Sequence, residues 1–201
     1  MKFIYFDVGG VLMKDFSDTK KLELMFESWG VSKKEIKDVK REFIKFEKKV
    51  CVGKSVEDFK GILEKSFKIN LPKNYSINED FVNRFENNID IWQLVDLVKG
   101  KYKIGLLTNM YPGTLELIRV KKIILEINWD VIIDSSVEKS KKPEKKIYEI
   151  AQKRSGFSGR DILFIDNRQE NLIVPKKLGW QTFWFDSSDY ERSNKRLKEL
   201  F

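Results

Sequence analysis

The stretch Met1-Lys-Phe-Ile-Tyr-Phe-Asp7-Val-Gly9-Gly10-Val-Leu12 decides the fold. Its apolar and aromatic run over residues 3–6 predicts a short buried strand. The run leads into the carboxylate of Asp7 and then into Gly9 and Gly10, which allow backbone amides to approach a ligand closely. This pattern is typical of an α/β enzyme that presents a nucleophile, and it also fits a plain exit from a strand into a turn.

Two later stretches, residues 103–109 and 161–167, repeat the arrangement of a buried apolar run followed by small polar residues. In an open parallel sheet, ligands bind outside the carboxyl ends of the strands, so polar residues that follow separate strands converge on one crevice. The sequence therefore predicts a shared site built from Thr108 and Asn109 after the first run, Ser135 and Lys142 between the two runs, and Asp166 and Asn167 after the second.

In their order along the chain, these stretches resemble the four motifs of the haloacid dehalogenase-like (HAD) hydrolase superfamily. The resemblance is to the subfamily with a helical cap, with an Asp-x-Gly-Gly variant of motif one, and it runs from residue 1 to about residue 185. No single motif is specific, but the ordered combination is. The matching residues are Asp7–Leu12 for motif one, Thr108-Asn109 for motif two, Ser135, Lys142-Pro143 and Ile147-Tyr148 for motif three, and Asp166-Asn167 with Asn171 for motif four.

The expected architecture is an α/β fold with a Rossmann-like parallel sheet, helices on both faces and an inserted helical cap domain. We expect residues 1–14 and 91–201 to form the core and residues 15–90 to form the cap. The positions expected in the apolar interior of the cap are Phe43, Ile44, Phe46, Phe59, Ile62 and Leu63. The periodicity predicts helices near 17–29, 32–50, 55–67 and 78–98, then strands near 103–107, 130–135, 161–165 and 181–185 that alternate with helices near 112–126, 143–154, 169–178 and 189–200.

Composition removes several classes of function. The chain has no histidine, which excludes Ser-His and Cys-His nucleophilic pairs and histidine-bound zinc. Its formal net charge of +8 comes mostly from lysines that alternate with glutamates, as on a solvated helix face, and no nucleic-acid-binding motif accompanies it. No apolar run is long enough to span a membrane. With the single Cys51, these features predict a soluble cytoplasmic protein, whereas the oligomeric state is not indicated.

The resemblance implies a Mg²⁺-dependent phosphatase that acts on a small phosphorylated metabolite. Its nucleophile, Asp7, would attack phosphorus and form an aspartyl-phosphate, which requires a cation to neutralise the approaching anions. The implied residues are Asp7, Thr108 and Lys142 for catalysis, Gly9, Gly10, Thr108, Asn109 and Lys142 for phosphate binding, Asp7, Asp166 and the backbone carbonyl of Gly9 for the metal, and Asn167 and Asn171 in support.

Two positions depart from the family pattern. Gly9 stands where family phosphatases carry the aspartate that protonates the leaving group and then activates water. General acid–base catalysis contributes about 10²–10⁴-fold, so its loss slows ester hydrolysis unless another group substitutes, and Asp15 or Asp18 are the candidates. Asn167 replaces a second aspartate, which predicts weaker Mg²⁺ binding.

These departures leave two alternatives open beside the phosphatase. A metal-free haloacid dehalogenase fits Gly9, because the same nucleophile displaces halide without the missing acid, although Asp166 argues against it. A phosphate-binding or regulatory protein on the same scaffold fits the combination of Gly9 and Asn167.

Overall fold

The computed structural model describes residues 1–17 and 19–201, so the candidate acid Asp18 lies outside the described residues. The strands in these ranges are β1 (Phe3–Phe6), β2 (Met13–Lys14), β3 (Glu86–Asn87), β4 (Lys103–Thr108), β5 (Val131–Asp134), β6 (Ile162–Asp166) and β7 (Gln181–Trp184). The helices are α1 (Lys21–Ser28), α2 (Ile36–Val50), α3 (Phe59–Phe67), α4 (Ile77–Asn83), α5 (Ile89–Lys99), α6 (Thr114–Val120), α7 (Ser135–Glu138), α8 (Lys145–Ser155), α9 (Gln169–Lys177) and α10 (Tyr190–Lys198). No helix within the described ranges is both long and apolar enough to cross a bilayer.

Strand β1 lies at the centre of a parallel sheet with the strand order β5-β4-β1-β6-β7. Its last residue, Phe6, is level with Leu106 of β4 and with Ile165 of β6. The next residues, Asp7 and Asp166, therefore emerge side by side at the carboxyl edge of the sheet. This is the edge at which an open parallel sheet binds ligands.

Helices cover both faces of the sheet. Successive residues of a strand point to opposite faces. Ile4 and Phe6 belong to an apolar cluster with residues of α5, α6 and α10, whereas Phe3 and Tyr5 belong to a second cluster with residues of α8 and α9. This arrangement confirms the predicted Rossmann-like α/β fold.

Strands β2 and β3 form a two-stranded antiparallel ribbon through which the chain leaves the sheet and returns to it. The prediction of one helix over 78–98 is wrong, because this ribbon separates α4 from α5. One distant and one local contact accompany the break in the helix. The side chain of Asn88 donates a hydrogen bond to the carbonyl of the distant Val11 (2.7 Å), and the Trp92 indole donates one to the nearby Asn87 side-chain oxygen (2.9 Å).

The segment between the ribbon strands contains its own apolar interior, which we call the aromatic cluster. Phe43 lies within it, with its ring centroid 5.0 Å from that of Phe59 and 5.6 Å from that of Phe81. Ile44 is 45% exposed, contrary to expectation, because it turns away from the face of α2 that carries Phe43. The division into a core (1–14 and 91–201) and a cap (15–90) stays a prediction, which this separate interior supports. The aromatic cluster consists of Phe26, Trp29, Phe43, Phe46, Phe59 and Phe81.

Three helices are clearly shorter than their sequence patterns predict. Helix α1 spans Lys21–Ser28 rather than 17–29. Helix α2 begins at Ile36 rather than near residue 32, since residues 33–35 form a turn. Helix α6 ends at Val120 rather than near residue 126, and Lys122 beyond it has a φ of 55°. That left-handed conformation does not continue a helix.

Candidate active site

Asp7 is a buried carboxylate that follows β1 directly, with 7% of the residue exposed. Its backbone amide donates a hydrogen bond to the Ile165 carbonyl (2.9 Å), which extends the pairing of β1 with β6. The side-chain Oδ1 accepts a hydrogen bond from the Val8 amide (2.7 Å), and Oδ2 lies 2.8 Å from Nζ of Lys142. The strand, the following turn and the lysine together fix this carboxylate in place.

Lys142 is a buried lysine that two carboxylates share. Its Nζ lies 2.8 Å from Oδ2 of Asp7 and 2.6 Å from Oδ2 of Asp166. Burial alone would lower the pKa of Lys142, but the charges of Asp166 and Asp7 raise it above its ordinary value. The ammonium therefore remains a fixed positive charge at neutral pH. We call Asp7, Lys142 and Asp166 the charged cluster.

Asp166 ends β6 and is fully buried. Its Oδ1 accepts a hydrogen bond from the Arg168 amide (2.7 Å), and Nδ2 of Asn171 lies 3.1 Å from both carboxylate oxygens. Burial raises the pKa of Asp166 and the charge of Asp7 adds to the rise, while Lys142 opposes it. Two carboxylates around one ammonium carry net negative charge when both are ionised, and this charge favours a further cation.

The residues after β4 lie beside the charged cluster. Asn109 accepts a hydrogen bond from the Lys142 amide (2.8 Å) and donates one to the Lys142 carbonyl (3.0 Å), so it fixes the backbone of the lysine. Thr108 is buried at the end of β4, one residue beyond the level of Asp7 on the neighbouring strand. Ser135 accepts a hydrogen bond from the Met110 amide (3.0 Å) and thereby stabilises this loop.

Gly10 and Asn167 are in close contact. Gly10 has a φ of 75°, and a Cβ at this position would lie 2.1 Å from Nδ2 of Asn167. The same Nδ2 donates to Oγ of Ser17 (3.2 Å) and to Oγ of Ser187 (3.3 Å). The Asn167 side chain therefore packs against Gly10 and links this turn to the segments that contain Ser17 and Ser187.

Gly9 is in contact with Asp15. A Cβ at Gly9 would lie 2.6 Å from Oδ2 of Asp15 and 3.4 Å from its Cγ. The other oxygen of Asp15, Oδ1, accepts a hydrogen bond from the Ser17 amide (2.8 Å). Burial raises the pKa of the Asp15 carboxyl above its ordinary value, and hydrogen bonds from Ser17 oppose the rise.

Sequence reasoning missed a polar group that lies between the sheet and the aromatic cluster. The Tyr111 hydroxyl donates a hydrogen bond to Oε1 of Glu47 (2.5 Å), which joins the loop after β4 to α2. Burial and the charge of Glu47 raise the pKa of Tyr111. The charges of Glu47, Asp15 and Asp7 raise the pKa of Arg168, against the effect of its burial. Sequence position could have indicated these two residues, because Tyr111 lies two residues after Asn109 of motif two and Arg168 lies two residues after Asp166 of motif four.

The donor set of the site suits a hard divalent cation. Mg²⁺ is usually held by one or two carboxylates and retains several waters. Asp7 and Asp166 are two such carboxylates, and the expected third oxygen is the carbonyl of Gly9. Nowhere in residues 1–17 and 19–201 do three or more histidine, cysteine, aspartate or glutamate side chains form a group placed to hold a metal. Two carboxylates with one backbone carbonyl match the small number of protein ligands that Mg²⁺ takes.

No family model matches the chain. Among curated proteins it is similar to pyrimidine 5'-nucleotidase YjjG from Escherichia coli (strain K12), with 26% identity over 101 residues. The match covers 49% of this chain and 44% of that protein, so the chain spans less than half the length of this relative.

Solved structures match over most of the chain. A predicted HAD-like family hydrolase from Porphyromonas gingivalis has a TM-score of 0.76 and 22% identity, covering 98% of this chain and 97% of that chain. The HAD family enzyme BT-2542 from Bacteroides thetaiotaomicron, in complex with magnesium and inorganic phosphate, has a TM-score of 0.77 and 17% identity, covering 96% and 98%. An L-2-haloacid dehalogenase from Xanthobacter autotrophicus has a TM-score of 0.63 and 13% identity, covering 90% and 76%.

These structures share the overall fold of this chain, and the four sequence motifs follow the order that the superfamily has. Asp7, Asn109 and Asp166, at the ends of three strands, meet Lys142 of the loop between α7 and α8 at one edge of that sheet. This chain has the fold of the haloacid dehalogenase-like hydrolases.

Proposed function

We propose that this protein is a Mg²⁺-dependent phosphatase that hydrolyses a small phosphorylated metabolite through an aspartyl-phosphate on Asp7. The observation that carries the proposal is the charged cluster, in which Lys142 lies 2.8 Å from Asp7 and 2.6 Å from Asp166. Burial of a lysine and two carboxylates costs desolvation free energy, and a chemical role would explain why the cluster is kept. Phosphoryl transfer to a carboxylate requires fixed positive charge beside the nucleophile.

In this proposal the residues of the chain divide the work. Asp7 attacks phosphorus, and Lys142 stabilises the charge that develops on the phosphoryl oxygens. Thr108 and the backbone amides near Gly9, Gly10 and Asn109 bind those oxygens. Mg²⁺, held by Asp7, Asp166 and the Gly9 carbonyl, would neutralise the two approaching anions.

The relatives support the substrate class. BT-2542 has been solved with magnesium and inorganic phosphate, and YjjG is a pyrimidine 5'-nucleotidase. Bound phosphate in the first protein and a nucleotide substrate in the second support a small phosphorylated molecule as the substrate class proposed here. We include a cytoplasmic location in the proposal, because a chain with a single cysteine has no internal disulfide that would need an oxidising compartment.

A haloacid dehalogenase is the second candidate, and Gly9 is the observation that favours it. Displacement of halide from carbon requires no proton for the leaving group, so the absence of a carboxylate at position 9 is no obstacle. The buried carboxylate of Asp166, which completes a cation site with Asp7, favours the phosphatase instead.

Hydrolysis of p-nitrophenyl phosphate tests the proposal, because the good leaving group makes the least demand for an acid. We expect turnover with Mg²⁺, no turnover with EDTA, and a loss of roughly 10³-fold or more in the Asp7→Asn variant. Asp96→Asn on the exposed side of α5 is the matched control and should retain full activity.

Turnover that persists in Asp7→Asn or in EDTA would overturn the proposal. Release of chloride from 2-chloropropionate in the presence of EDTA would establish the dehalogenase instead. Absence of both activities, combined with phosphate binding, would point to the regulatory protein.

A further inference from the structure

We propose that Asp15 is the general acid and general base of the reaction. Its carboxylate lies in the space beside Gly9, where this residue has no side chain. This inference rests on the proposed function, and it assigns a further residue to the same site. It starts from one contact, in which Oδ2 of Asp15 would lie 2.6 Å from a Cβ built on Gly9. A carboxylate oxygen thus lies against Gly9, two residues after the nucleophile Asp7, where the chain has no side chain of its own.

The conformation of Asp15 directs one oxygen to this position. Its Oδ1 accepts a hydrogen bond from the Ser17 amide (2.8 Å), which leaves Oδ2 facing Gly9. Asp15 interacts electrostatically with Asp7 and with Arg168, so it belongs to the same charged surroundings as the nucleophile. Its carboxylate therefore lies against Gly9, two residues after the nucleophile, with Oδ2 on the side of the turn.

Two connections fix the segment that carries Asp15. On one side it follows β2, which pairs with β3 in the ribbon. On the other side, Ser17 accepts a hydrogen bond from Nδ2 of Asn167 (3.2 Å), and Asn167 directly follows Asp166. Asn167 thus has a definite part in this arrangement, because it ties the Asp15 turn to the strand that ends in the charged cluster.

The two carboxylates of the charged cluster already have partners. Asp7 and Asp166 both bind Lys142, and Asp166 also accepts hydrogen bonds from Asn171 and from the Arg168 amide. The chain has no histidine that could take the role. Among the acidic groups near Gly9 that the structure describes, Asp15 is the one with an oxygen directed at the turn.

The proton balance of the two steps is as follows. When Asp7 attacks phosphorus, the bond from phosphorus to the leaving oxygen breaks, its electron pair stays on that oxygen, and protonated Asp15 supplies the proton that makes the alcohol. When water then attacks the aspartyl-phosphate, Asp15 accepts a proton from that water, and the electron pair of the breaking phosphorus–oxygen bond returns to Asp7. The sum is ester and water in, and alcohol and inorganic phosphate out.

Leaving-group dependence tests the first step. Phenyl phosphate needs protonation of its leaving oxygen far more than p-nitrophenyl phosphate does. In Asp15→Asn, which retains an acceptor for the Ser17 amide, we expect kcat/KM for phenyl phosphate to fall about 10²-fold and that for p-nitrophenyl phosphate to fall much less. Asp38→Asn, at an exposed position of α2, is the control. The ratio of kcat/KM for the two substrates should be unchanged in this variant.

A swap of the two positions gives a second test. Gly9 does not have a positive φ, so its backbone accepts a side chain, and the obstacle is the carboxylate of Asp15. Gly9→Asp alone should lower activity through crowding. Gly9→Asp combined with Asp15→Gly should restore turnover of phenyl phosphate relative to Asp15→Gly alone, by about tenfold or more.

An unchanged substrate ratio in Asp15→Asn, in an enzyme whose turnover still requires Asp7, would overturn this inference and leave the proposed function intact. No Asp7-dependent turnover in the parent protein would remove both. If the double variant fails to fold, the substrate ratio of Asp15→Asn still decides the question.

Discussion

The charged cluster and the aromatic cluster are both buried, but removal from water costs free energy for the first and is favourable for the second. Lys142 and its two carboxylates lose hydration that their mutual attraction only partly returns. The rings around Phe43 gain free energy on leaving water, and their tilted and edge-on contacts add to that gain. The comparison supports the proposed chemical role for the site at the sheet edge, whereas the rings of the helical insertion contribute to stability.

The largest expected effect comes from Lys142→Met. Removal of the ammonium leaves Asp7 and Asp166 buried without their partner, so we expect loss of turnover and a decrease of about 3–5 kcal/mol in the free energy of unfolding. Urea denaturation and p-nitrophenyl phosphate turnover are the measurements. Lys145→Met, on an exposed lysine paired with Glu149, is the control.

A Lys142→Met variant as stable as the parent would contradict the comparison, because the two buried carboxylates would then not need the Lys142 ammonium. Addition of Asp166→Asn sharpens the test. It removes one of the two unpaired charges and should recover part of the lost stability without recovering activity.

Phe43→Ala should come next. It leaves a cavity among Phe26, Phe59 and Phe81, and we expect a loss of about 3–4 kcal/mol in the free energy of unfolding, measured by urea denaturation. Ile44→Ala, one residue further on the exposed face of α2, should cost less than about 1 kcal/mol. Equal losses in the two variants would contradict the assignment of Phe43 to a packed interior.

Glu57→Gln should cause the smallest loss in the free energy of unfolding, and this loss should depend on pH. Burial acts to raise the pKa of Glu57, but hydrogen bonds from the amides of Asn78 and Ile77 and from Lys60 bring it below its ordinary value of 4.5. The stabilisation from this carboxylate is therefore present above pH 4.5 and is lost as the pH falls through the lowered pKa. We expect Glu57→Gln to cost about 1 kcal/mol at pH 7.

Urea denaturation at a series of pH values measures this effect, with Glu64→Gln on exposed α3 as the control. The difference between parent and Glu57→Gln should disappear in acid. A difference that persists below the lowered pKa would show that the carboxylate acts through packing rather than through its charge.

The sequence was sufficient to predict the sheet and the convergence of its polar residues. Apolar runs predict strands, and the carboxyl ends of parallel strands share one edge, so the position of Asp166 beside Asp7 follows from local patterns. The choice of Lys142 as their partner came from the resemblance to the family. The break between α4 and α5 did not follow from local patterns. It depends on the Asn88 contact with Val11, which lies 77 positions away in the chain.

The contact between Gly9 and Asp15 was equally hidden. The sequence places a candidate acid near the entrance of the insertion, but which oxygen faces the turn depends on the pairing of β2 with β3 and on the Ser17 hydrogen bonds. Such details come from tertiary structure. Local pattern identifies the residue types that chemistry needs, and long-range pairing sets their distances.

The ribbon also affects how such a protein changes in evolution. Since Met13 pairs with Asn87, the chain departs and returns at adjacent points, and the entropy of closing a loop grows only slowly with its length. The segment between them can lengthen, shorten or be replaced by a homologous one without displacing the sheet. Exchange of this segment is thus compatible with the same sheet, and the proposed role of Asp15 requires only that the incoming segment bring a carboxylate to Gly9.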